Sequence, residues 1–316
     1  MSDNNCAQPE NLRLSQAVPG FLAHARVELG FSGQTILKYR DCLRQVARMI
    51  GDLPMIEYSK DHIFALKSAM LARNHSVGRQ VTILAALKRM LLFCQGVLAL
   101  PVMDPELILM PKRPRREVVY LTKAEVERFV MAVRIRNEDG KLFESGIRFR
   151  ALVEVLLGSA MRISEVLSLN RQDIDFEVRE ARVIGKGNKQ RTVFFTARAI
   201  AWLTRYLQVR RDEHPALFVT QGGHSRLDRT DIWRPFTRYR QAAHLTKRVT
   251  PHLLRHTAAT QLLFNGCPVG HIKEILGHER LETTCRYYLG LDRRAAKQAH
   301  ERYLTYETQD VLPNAA

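Results

Sequence analysis

Cationic and nucleophilic side chains cluster between residues 250 and 290. This stretch holds a His-x-x-Arg pair, His252 and Arg255, a Leu-Gly-His triplet that ends at His278, and a Thr-Thr-x-x-Tyr-Tyr run that ends at Tyr288. The arginine guanidinium is planar and always charged, so it suits phosphate oxygens. A tyrosine beside such cations can act as a nucleophile. These residue types indicate chemistry on a phosphate, with a tyrosine as the attacking group.

Two further cations lie upstream of this stretch. Arg162 lies where a loop turns into a helix, and Glu165, three residues later, can hold its guanidinium in place. Lys186 lies in the glycine-rich turn of a predicted hairpin, between the β-rich runs 182–184 and 192–195. Taken alone, Arg162 suits a structural ion pair equally well, and the hairpin tip suits an ordinary solubilising turn.

Two predicted helices position the residues of the 250–290 stretch. Thr250 is placed to cap a helix with Pro251 at its first position, which sets the His-x-x-Arg pair on one face near the positive end of the helix dipole. A second helix is predicted over residues 269–276, with Gly277 as its stop. His278 therefore falls in the turn that follows.

The charge of the chain predicts a polyanionic partner. The 316 residues suffice for two domains, and they carry a net charge of +17. Residues 1–110 hold 12 Lys+Arg and 9 Asp+Glu, whereas the remainder holds 37 and 23. Nucleic acid and an anionic membrane surface both fit this charge. The second half is expected to carry more of the phosphate-facing surface.

Several classes of protein are disfavoured by the sequence. The 5 cysteines are scattered without a C-x-x-C pair, which argues against a disulfide framework and for a reducing compartment. The polar N-terminus does not match a signal peptide, and no apolar run is long enough to span a bilayer. Cys267 and His271 alone do not make a zinc site, and His256 is expected to be a core histidine. A soluble, cytoplasmic protein is predicted.

The first part of the chain, residues 12–100, shows helical spacing and no β alternation. The serines placed to cap its helices are Ser32, Ser59 and Ser76. A fourth helix is predicted over residues 18–29, despite Pro19. The basic residues on these helices suit a solvated bundle, and equally a surface that contacts a DNA backbone.

A linker is predicted over residues 101–119, because its four prolines resist both helix and sheet and favour an extended path. Its basic residues are Lys112, Arg113, Arg115 and Arg116. They suit a solvated tether, or a strap along a DNA backbone. The termini, residues 1–11 and 305–316, are expected to be disordered.

The second part, residues 120–304, mixes helices with the predicted hairpin. Thr122 and Glu125 match a capping box at the start of one helix, and residues 149–158 predict a helix that is apolar on nearly all sides and therefore buried. Further helices are predicted over residues 197–210 and 231–243. The fold class is mostly α with a small β-hairpin, an α+β arrangement.

These fragments together resemble the tyrosine recombinase (phage integrase) family, in its simple two-domain Xer-like type. The matching residues are Arg162 in AMRISE, Lys186 in VIGKGNKQR, His252 and Arg255 in HLLRHTAAT, His278 in LGH, and Tyr287 in TTCRYY. Each fragment alone is weak, but their order and separations make the match specific over residues 120–290. The resemblance implies a helical core-binding domain followed by a catalytic domain, with no additional arm-binding domain.

The resemblance also implies a mechanism, in which a tyrosine attacks a DNA phosphodiester and forms a 3′-phosphotyrosyl link. Arg162 and Arg255 would clamp the phosphate, and Lys186 would protonate the leaving 5′-oxygen. His252 would act as general acid/base, and His278 would hydrogen-bond a phosphate oxygen. No metal or nucleotide cofactor is required. In the family pattern the nucleophile lies nine residues beyond the histidine of the LGH triplet, which selects Tyr287 over Tyr288.

Partners and alternatives follow from the same resemblance. It implies double-stranded DNA at specific sites, a homotetramer on two sites, and a C-terminal helix, residues 291–304, that docks on a neighbouring protomer. Lys189 and Arg191 near the hairpin turn are further candidates for DNA contact. The task could be integration or excision of a mobile element, or resolution. A catalytically silent DNA-binding regulator and a type IB topoisomerase or telomere resolvase remain alternatives, whereas a membrane-surface protein leaves the spaced catalytic set unexplained.

Overall fold

The computed structural model describes residues 11–112, 118–136, 139–185, 190–277 and His300. The chain divides into two compact units, Met1–Arg116 and Glu117–Ala316. The described residues are mostly helical, with one small three-stranded sheet in the second unit. The predicted fold class is therefore confirmed.

The described residues of the first unit form four α-helices: α1 (Leu14–Val27), α2 (Gly33–Ile50), α3 (Lys60–Ala72) and α4 (Val77–Gly96). The side chains of Ser32 and Ser76 accept backbone N–H groups at the starts of α2 and α4, as predicted. Ser59 precedes α3 but makes no such cap, because its hydroxyl lies 2.9 Å from His62 Nδ1. α1 begins earlier than predicted, since Leu14 belongs to its buried face together with Phe21.

The predicted linker is partly folded into the first unit. Residues 105–107 form a 3₁₀ turn, which Asp104 caps by accepting the backbone N–H of Glu106. Ile108 is buried in the core of this unit, and Glu106 forms an ion pair with Lys88 of α4 at 2.8 Å. The prediction that this segment runs extended throughout is wrong here, because the proline-rich stretch also carries apolar residues that bury against α4.

The second unit contains seven described α-helices and three strands. The helices are α5 (Lys123–Met131), α6 (Glu144–Ser159), α7 (Ile163–Ser168), α8 (Ala197–Val209), α9 (Arg229–Ala242), α10 (Pro251–Phe264) and α11 (Val269–Leu276). The strands are β1 (Ile174–Asp175), β2 (Glu180–Ile184) and β3 (Gln190–Phe194). The capping box at the start of α5 is confirmed, since Thr122 and Glu125 exchange both hydrogen bonds.

The sheet is antiparallel, in the order β1-β2-β3. β2 and β3 form the predicted hairpin, with Ile184 opposite Gln190 at the end nearest the turn. β1 was not predicted, because two residues are too few to show the alternation by which strands are recognised. Residues 186–189 of the turn lie outside the described part of the chain.

The core of the second unit is built around α6, as predicted from its apolar sequence. Phe149 of α6 contacts Phe236 and Tyr239 of α9, with ring centroids 5.0 Å apart in each pair. A Cβ on Gly158 would lie 2.4 Å from Thr196 Oγ1, so the end of α6 closely approaches the start of α8. This packing fixes the end of α6, from which the chain turns into the candidate site.

Neither a membrane-spanning helix nor a metal-binding cluster occurs among the described residues. None of the helices among them combines the length and the apolar character that a bilayer crossing requires. Across the same residues, no group of three or more His, Cys, Asp or Glu side chains is placed to hold a metal ion.

Candidate active site

The corner between α6 and α7 presents Arg162. Ala160 ends α6 in the left-handed conformation (φ 53°), and Arg162 then caps α7. The backbone N–H of Arg162 donates to Glu165 Oε2 at 2.8 Å, and its Nη1 donates to Oε1 at 2.9 Å. The predicted partnership of these two residues is confirmed. It fixes one edge of the guanidinium while the side chain stays 37% exposed.

Helix α10 presents His252 and Arg255 from its first turns. Thr250 caps this helix by accepting the backbone N–H of Leu253 at 3.1 Å, as predicted. Arg255 is buried, with Nη1 donating to the carbonyl of Ala160 at 2.9 Å and Nη2 donating to the carbonyl of Leu276. One guanidinium therefore ties α10 to the ends of both α6 and α11.

Three arginines meet at the C-terminal end of α11. Its consecutive carbonyls at Ile275, Leu276 and Gly277, here called the α11 carbonyl triplet, accept hydrogen bonds from Arg191, Arg255 and Arg162 respectively. The last carbonyls of a helix have no intrahelical partner and carry the negative end of the dipole. They therefore attract cations, and here they bring together guanidinium groups from β3, α10 and the α6–α7 corner.

Glu165 is the anionic counterpart of this cluster. It is buried, and its Oε2 also accepts Arg191 Nη2 at 2.9 Å. Burial alone would raise the pKa of this carboxyl. The backbone N–H of Arg162 and the charges of Arg191 and Arg162 outweigh burial, so the pKa of Glu165 lies below its ordinary value. The ionised form is the one that holds the two arginines.

We expect Glu165→Gln to destabilise the second unit by about 3 kcal/mol at pH 7, the lower end for breaking a buried pair because Arg162 is partly exposed. Since the folded-state pKa of Glu165 is depressed, its contribution is present at neutral pH. It begins to be lost below about pH 4.3, where unfolded glutamate titrates, and the loss continues as the pH falls through the lower folded-state pKa. Urea unfolding at pH 7 and at about pH 3.5 should show the variant approaching the wild type in acid. A difference that is independent of pH would contradict this account.

Gly277 is required by the backbone and by its neighbour. It has a left-handed conformation (φ 59°), and a Cβ there would lie 2.5 Å from Arg191 Nε. We expect Gly277→Ala to cost about 1–3 kcal/mol from the backbone alone, with further loss from displacing Arg191. Thermal unfolding of the full chain measures the effect.

Gly270, on the same helix, provides the matched control. It has no positive φ, and a Cβ there meets nothing within 4 Å. Gly270→Ala should therefore be neutral or stabilise the protein by up to about 1 kcal/mol, because alanine favours the helix. Equal losses in the two variants would show that α11 tolerates no change anywhere, and would remove the argument for Gly277.

His252 is paired with His256, one helical turn later. Their Nε2 atoms lie 3.0 Å apart, and the ring planes meet at 73°. Burial against the cleft wall, followed by the charges of Arg255 and Arg162, holds the pKa of His252 below its ordinary value. Burial, His252 and Arg255 lower the pKa of His256 to about 4. The expectation that His256 is a core histidine is wrong, because its ring lines the same cleft as His252.

These groups open onto one cleft of about 650 Å³. Its lining includes Arg162, His252 and Arg255, together with three exposed residues that the sequence patterns did not single out. Those residues are Arg229, Trp233 and Arg248. The Arg248 guanidinium lies 5.8 Å from the Trp233 ring centre. In the sequence, Arg229 and Trp233 are marked only by their i, i+4 spacing on α9, which many surface helices share, and Arg248 has no such mark.

The structure places only some of the predicted site residues. It brings Arg162, His252 and Arg255 together on one cleft. The Arg191 side chain is directed instead towards Glu165 and the end of α11. A contact of Arg191 with DNA therefore stays a prediction. Lys112 is exposed in the first unit. The predicted residues that lie outside the described part of the chain are Lys186, His278, Tyr287, Arg113, Arg115, Arg116 and Lys189. The predicted C-terminal helix, residues 291–304, also lies outside it except for His300.

Residues 119–294 match the phage integrase family. The tyrosine recombinase XerC of Chlamydia muridarum (strain MoPn / Nigg) is 32% identical over 273 residues, which cover 85% of this chain and 84% of that protein. The crystal structure of XerA recombinase is 26% identical and superposes with a TM-score of 0.51, covering 92% of this chain and 99% of that one.

A further solved structure shares the fold. It is the Tn1549 transposon integrase in complex with a circular intermediate DNA, which has a TM-score of 0.75 at 20% identity and covers 92% of this chain and 99% of that chain. The family match spans more than half of the chain and includes every residue of the described cleft. The chain belongs to the phage integrase family and is a tyrosine recombinase of the Xer-like type, an enzyme of site-specific DNA recombination.

Proposed function

We propose that the enzyme cleaves and rejoins double-stranded DNA at specific sites through a 3′-phosphotyrosyl intermediate, with Tyr287 as the nucleophile. The observation that carries this proposal is the convergence of Arg162 and Arg255 on one cleft, where the α11 carbonyl triplet holds both guanidinium groups. Two fixed cations on one phosphate stabilise the charge that develops on its non-bridging oxygens.

The other predicted site residues are proposed to act in turn as the bonds to phosphorus form and break. The Tyr287 oxygen attacks phosphorus while His252 takes the phenolic proton, and the bond to the 5′-oxygen breaks as Lys186 supplies a proton to it. His278 hydrogen-bonds a phosphate oxygen. Religation reverses these steps with the 5′-hydroxyl of the partner strand as nucleophile, so the energy of the broken bond is kept in the phosphotyrosine. Because the phosphotyrosyl bond keeps this energy, religation would not require hydrolysis of a nucleotide cofactor.

DNA contact is proposed to extend beyond the cleft. The exposed Arg229 and Arg248 lie on its lining, where they can bind backbone phosphates on either side of the scissile one. Lys189 at the hairpin turn and the basic residues of positions 112–116 provide further phosphate contacts. Arg191 also supports the site indirectly, because its two Nη atoms donate to Glu165 and to the carbonyl of Ile275 at the end of α11. Its own contact with DNA remains a prediction.

The working assembly is proposed to be a homotetramer on two DNA sites, with the C-terminal helix docked on a neighbouring protomer. Its task is integration or excision of a mobile element, or resolution of joined DNA, in the cytoplasm of a bacterial-type cell. The convergence of Arg162 and Arg255 on one cleft favours a catalytic role over a silent DNA-binding regulator of the same fold. A type IB topoisomerase-like enzyme would share the chemistry but act without a fixed site.

Covalent capture in cells tests this proposal. Denaturing isolation of the protein, followed by sequencing of the DNA attached to it, should return a short recurrent site with inverted half-sites, as expected for two-fold related protomers. Attached DNA spread evenly over the genome would favour a topoisomerase. A lack of attached DNA, combined with sequence-specific binding, would favour the silent regulator.

A further inference from the structure

Two histidines on α10 form one hydrogen-bonded unit. His252 and His256 are separated by one helical turn, and 3.0 Å between their Nε2 atoms is the length of an N–H···N hydrogen bond. Each neutral imidazole has one nitrogen with a proton and one with a lone pair. One ring must therefore donate and the other accept, so a single proton lies between the two rings.

We propose that His256 is a positioning residue for His252: it accepts the Nε2 proton of His252 and so directs the unprotonated Nδ1 of His252 to the substrate. The inference rests on the proposed role of His252 as the acceptor of the tyrosine proton. It adds that His256 selects the tautomer of His252 in which Nδ1 is free to accept that proton. The second proton of the pair then lies on Nδ1 of His256.

The surroundings keep this pair from taking two extra protons. Arg255 lies on the same helix, and Arg162 approaches from the start of α7. Arg229 and Arg248 line the same cleft. Among the described residues that line this cleft beside the two histidines, every charged side chain is an arginine. Protonation of both rings would also set two N–H groups against each other across 3.0 Å. The pair therefore takes up one proton, on His252, while His256 stays neutral as its acceptor.

This arrangement suits a proton transfer from a tyrosine. When Nδ1 of His252 takes the phenolic proton, the charge that forms on the imidazolium is stabilised by the neutral His256, because a hydrogen bond to the charged form favours it. Without His256 the ring of His252 could rotate about its terminal torsion and exchange tautomers. The fraction of the enzyme with a lone pair aimed at the tyrosine would then fall.

Nitrogen NMR of the full-length protein, labelled with ¹⁵N-histidine, reads the tautomer without any reaction. The variants are His256→Phe, which keeps an aromatic ring but removes the acceptor, and His256→Gln, whose side-chain oxygen can accept the same proton. His271→Gln, an exposed histidine on the neighbouring helix α11, is the matched control. Circular dichroism and thermal unfolding confirm that each variant is folded.

The wild type and His256→Gln should show His252 with its proton on Nε2. His256→Phe should bring the two nitrogen shifts of His252 towards each other, as expected for exchanging tautomers. The control should leave them unchanged. A neutral His252 with its proton on Nδ1 in the wild type, or nitrogen shifts that are unaffected by His256→Phe, would overturn the proposal.

Single-turnover cleavage of the captured site supplies a second readout. His256→Phe should slow cleavage by about 10–100-fold, part of what a general base contributes, with DNA affinity unchanged. His256→Gln should recover most of that rate. Equal losses in both variants, or a loss of DNA affinity instead of rate, would show that His256 is structural only. If the NMR result holds while His252→Gln cleaves normally, the pair exists but the proposed role of His252 fails.

Discussion

Tyr287→Phe should abolish the covalent protein–DNA complex and leave DNA binding intact. The substitution removes one oxygen, the atom proposed to attack phosphorus, and phenylalanine fits the space of tyrosine. Loss of a nucleophile costs at least about 10⁴-fold in rate, which takes the product below detection on a denaturing gel. The assay uses a nicked substrate carrying the captured site, so that the cleaved strand diffuses away and the adduct accumulates.

Tyr288→Phe is the matched control for this prediction. The two tyrosines are adjacent, so both variants make the same chemical change in the same segment. Only the position nine residues beyond His278 is expected to matter, and Tyr288→Phe should keep the adduct. Survival of the adduct in Tyr287→Phe together with its loss in Tyr288→Phe would reverse the assignment.

Arg255→Lys should reduce the cleavage rate by about 10²–10³-fold while DNA binding changes little. Lysine keeps the charge but is a point donor without the planar fork. The buried guanidinium of Arg255 donates to the carbonyls of Ala160 and Leu276 at once, which one ammonium group cannot reproduce. We also expect a loss of about 1–3 kcal/mol of stability, because one buried carbonyl is left without its donor.

Arg226→Lys separates the loss of stability from the loss of rate. Arg226 also forks onto backbone carbonyls, with Nη1 donating to Leu167 and Leu169 at 2.8 Å each, but it is not among the residues that line the cleft. This variant should lose similar stability, measured by urea unfolding. At temperatures at which it is still folded, its single-turnover cleavage rate should equal that of the wild type. A comparable drop in rate for both variants would mean that Arg255 acts through the fold alone.

Local patterns in the sequence predicted the elements that carry the site. Thr250 with Pro251, and Gly277 after an apolar helical run, mark helix ends by chemistry that acts within a few residues. The structure places α10 and α11 where those signals predict. The partnership of Arg162 with Glu165 was accessible for the same reason, since three residues separate them on one short helix.

Contacts between distant segments were not accessible in this way. The sequence marks Arg191 as a basic residue near a hairpin turn, whereas the fold directs it to Glu165 and to the carbonyl of Ile275. No local pattern states that three arginines from three elements will meet the end of α11. The binding of a helix C-terminus by cations is a general tendency, but the choice of cations depends on tertiary packing.

His256 illustrates a third kind of limit. A histidine among apolar neighbours on a helix predicts burial, and His256 is indeed partly buried. Whether its ring turns into the core or towards His252 depends on a side-chain torsion, which no spacing rule fixes. Only the 3.0 Å contact distinguishes a packing residue from a partner of the proposed base.

The attachment point of DNA on the wild-type enzyme tests the central claim most directly. Trypsin should release one peptide, residues 287–293, that contains both tyrosines, so fragmentation between them identifies the modified residue. The account predicts a 3′-phosphate of DNA on Tyr287 and a free 5′-hydroxyl on the other strand end. An adduct on Tyr288 or on any other residue, or a 5′-phosphate linkage, would contradict it.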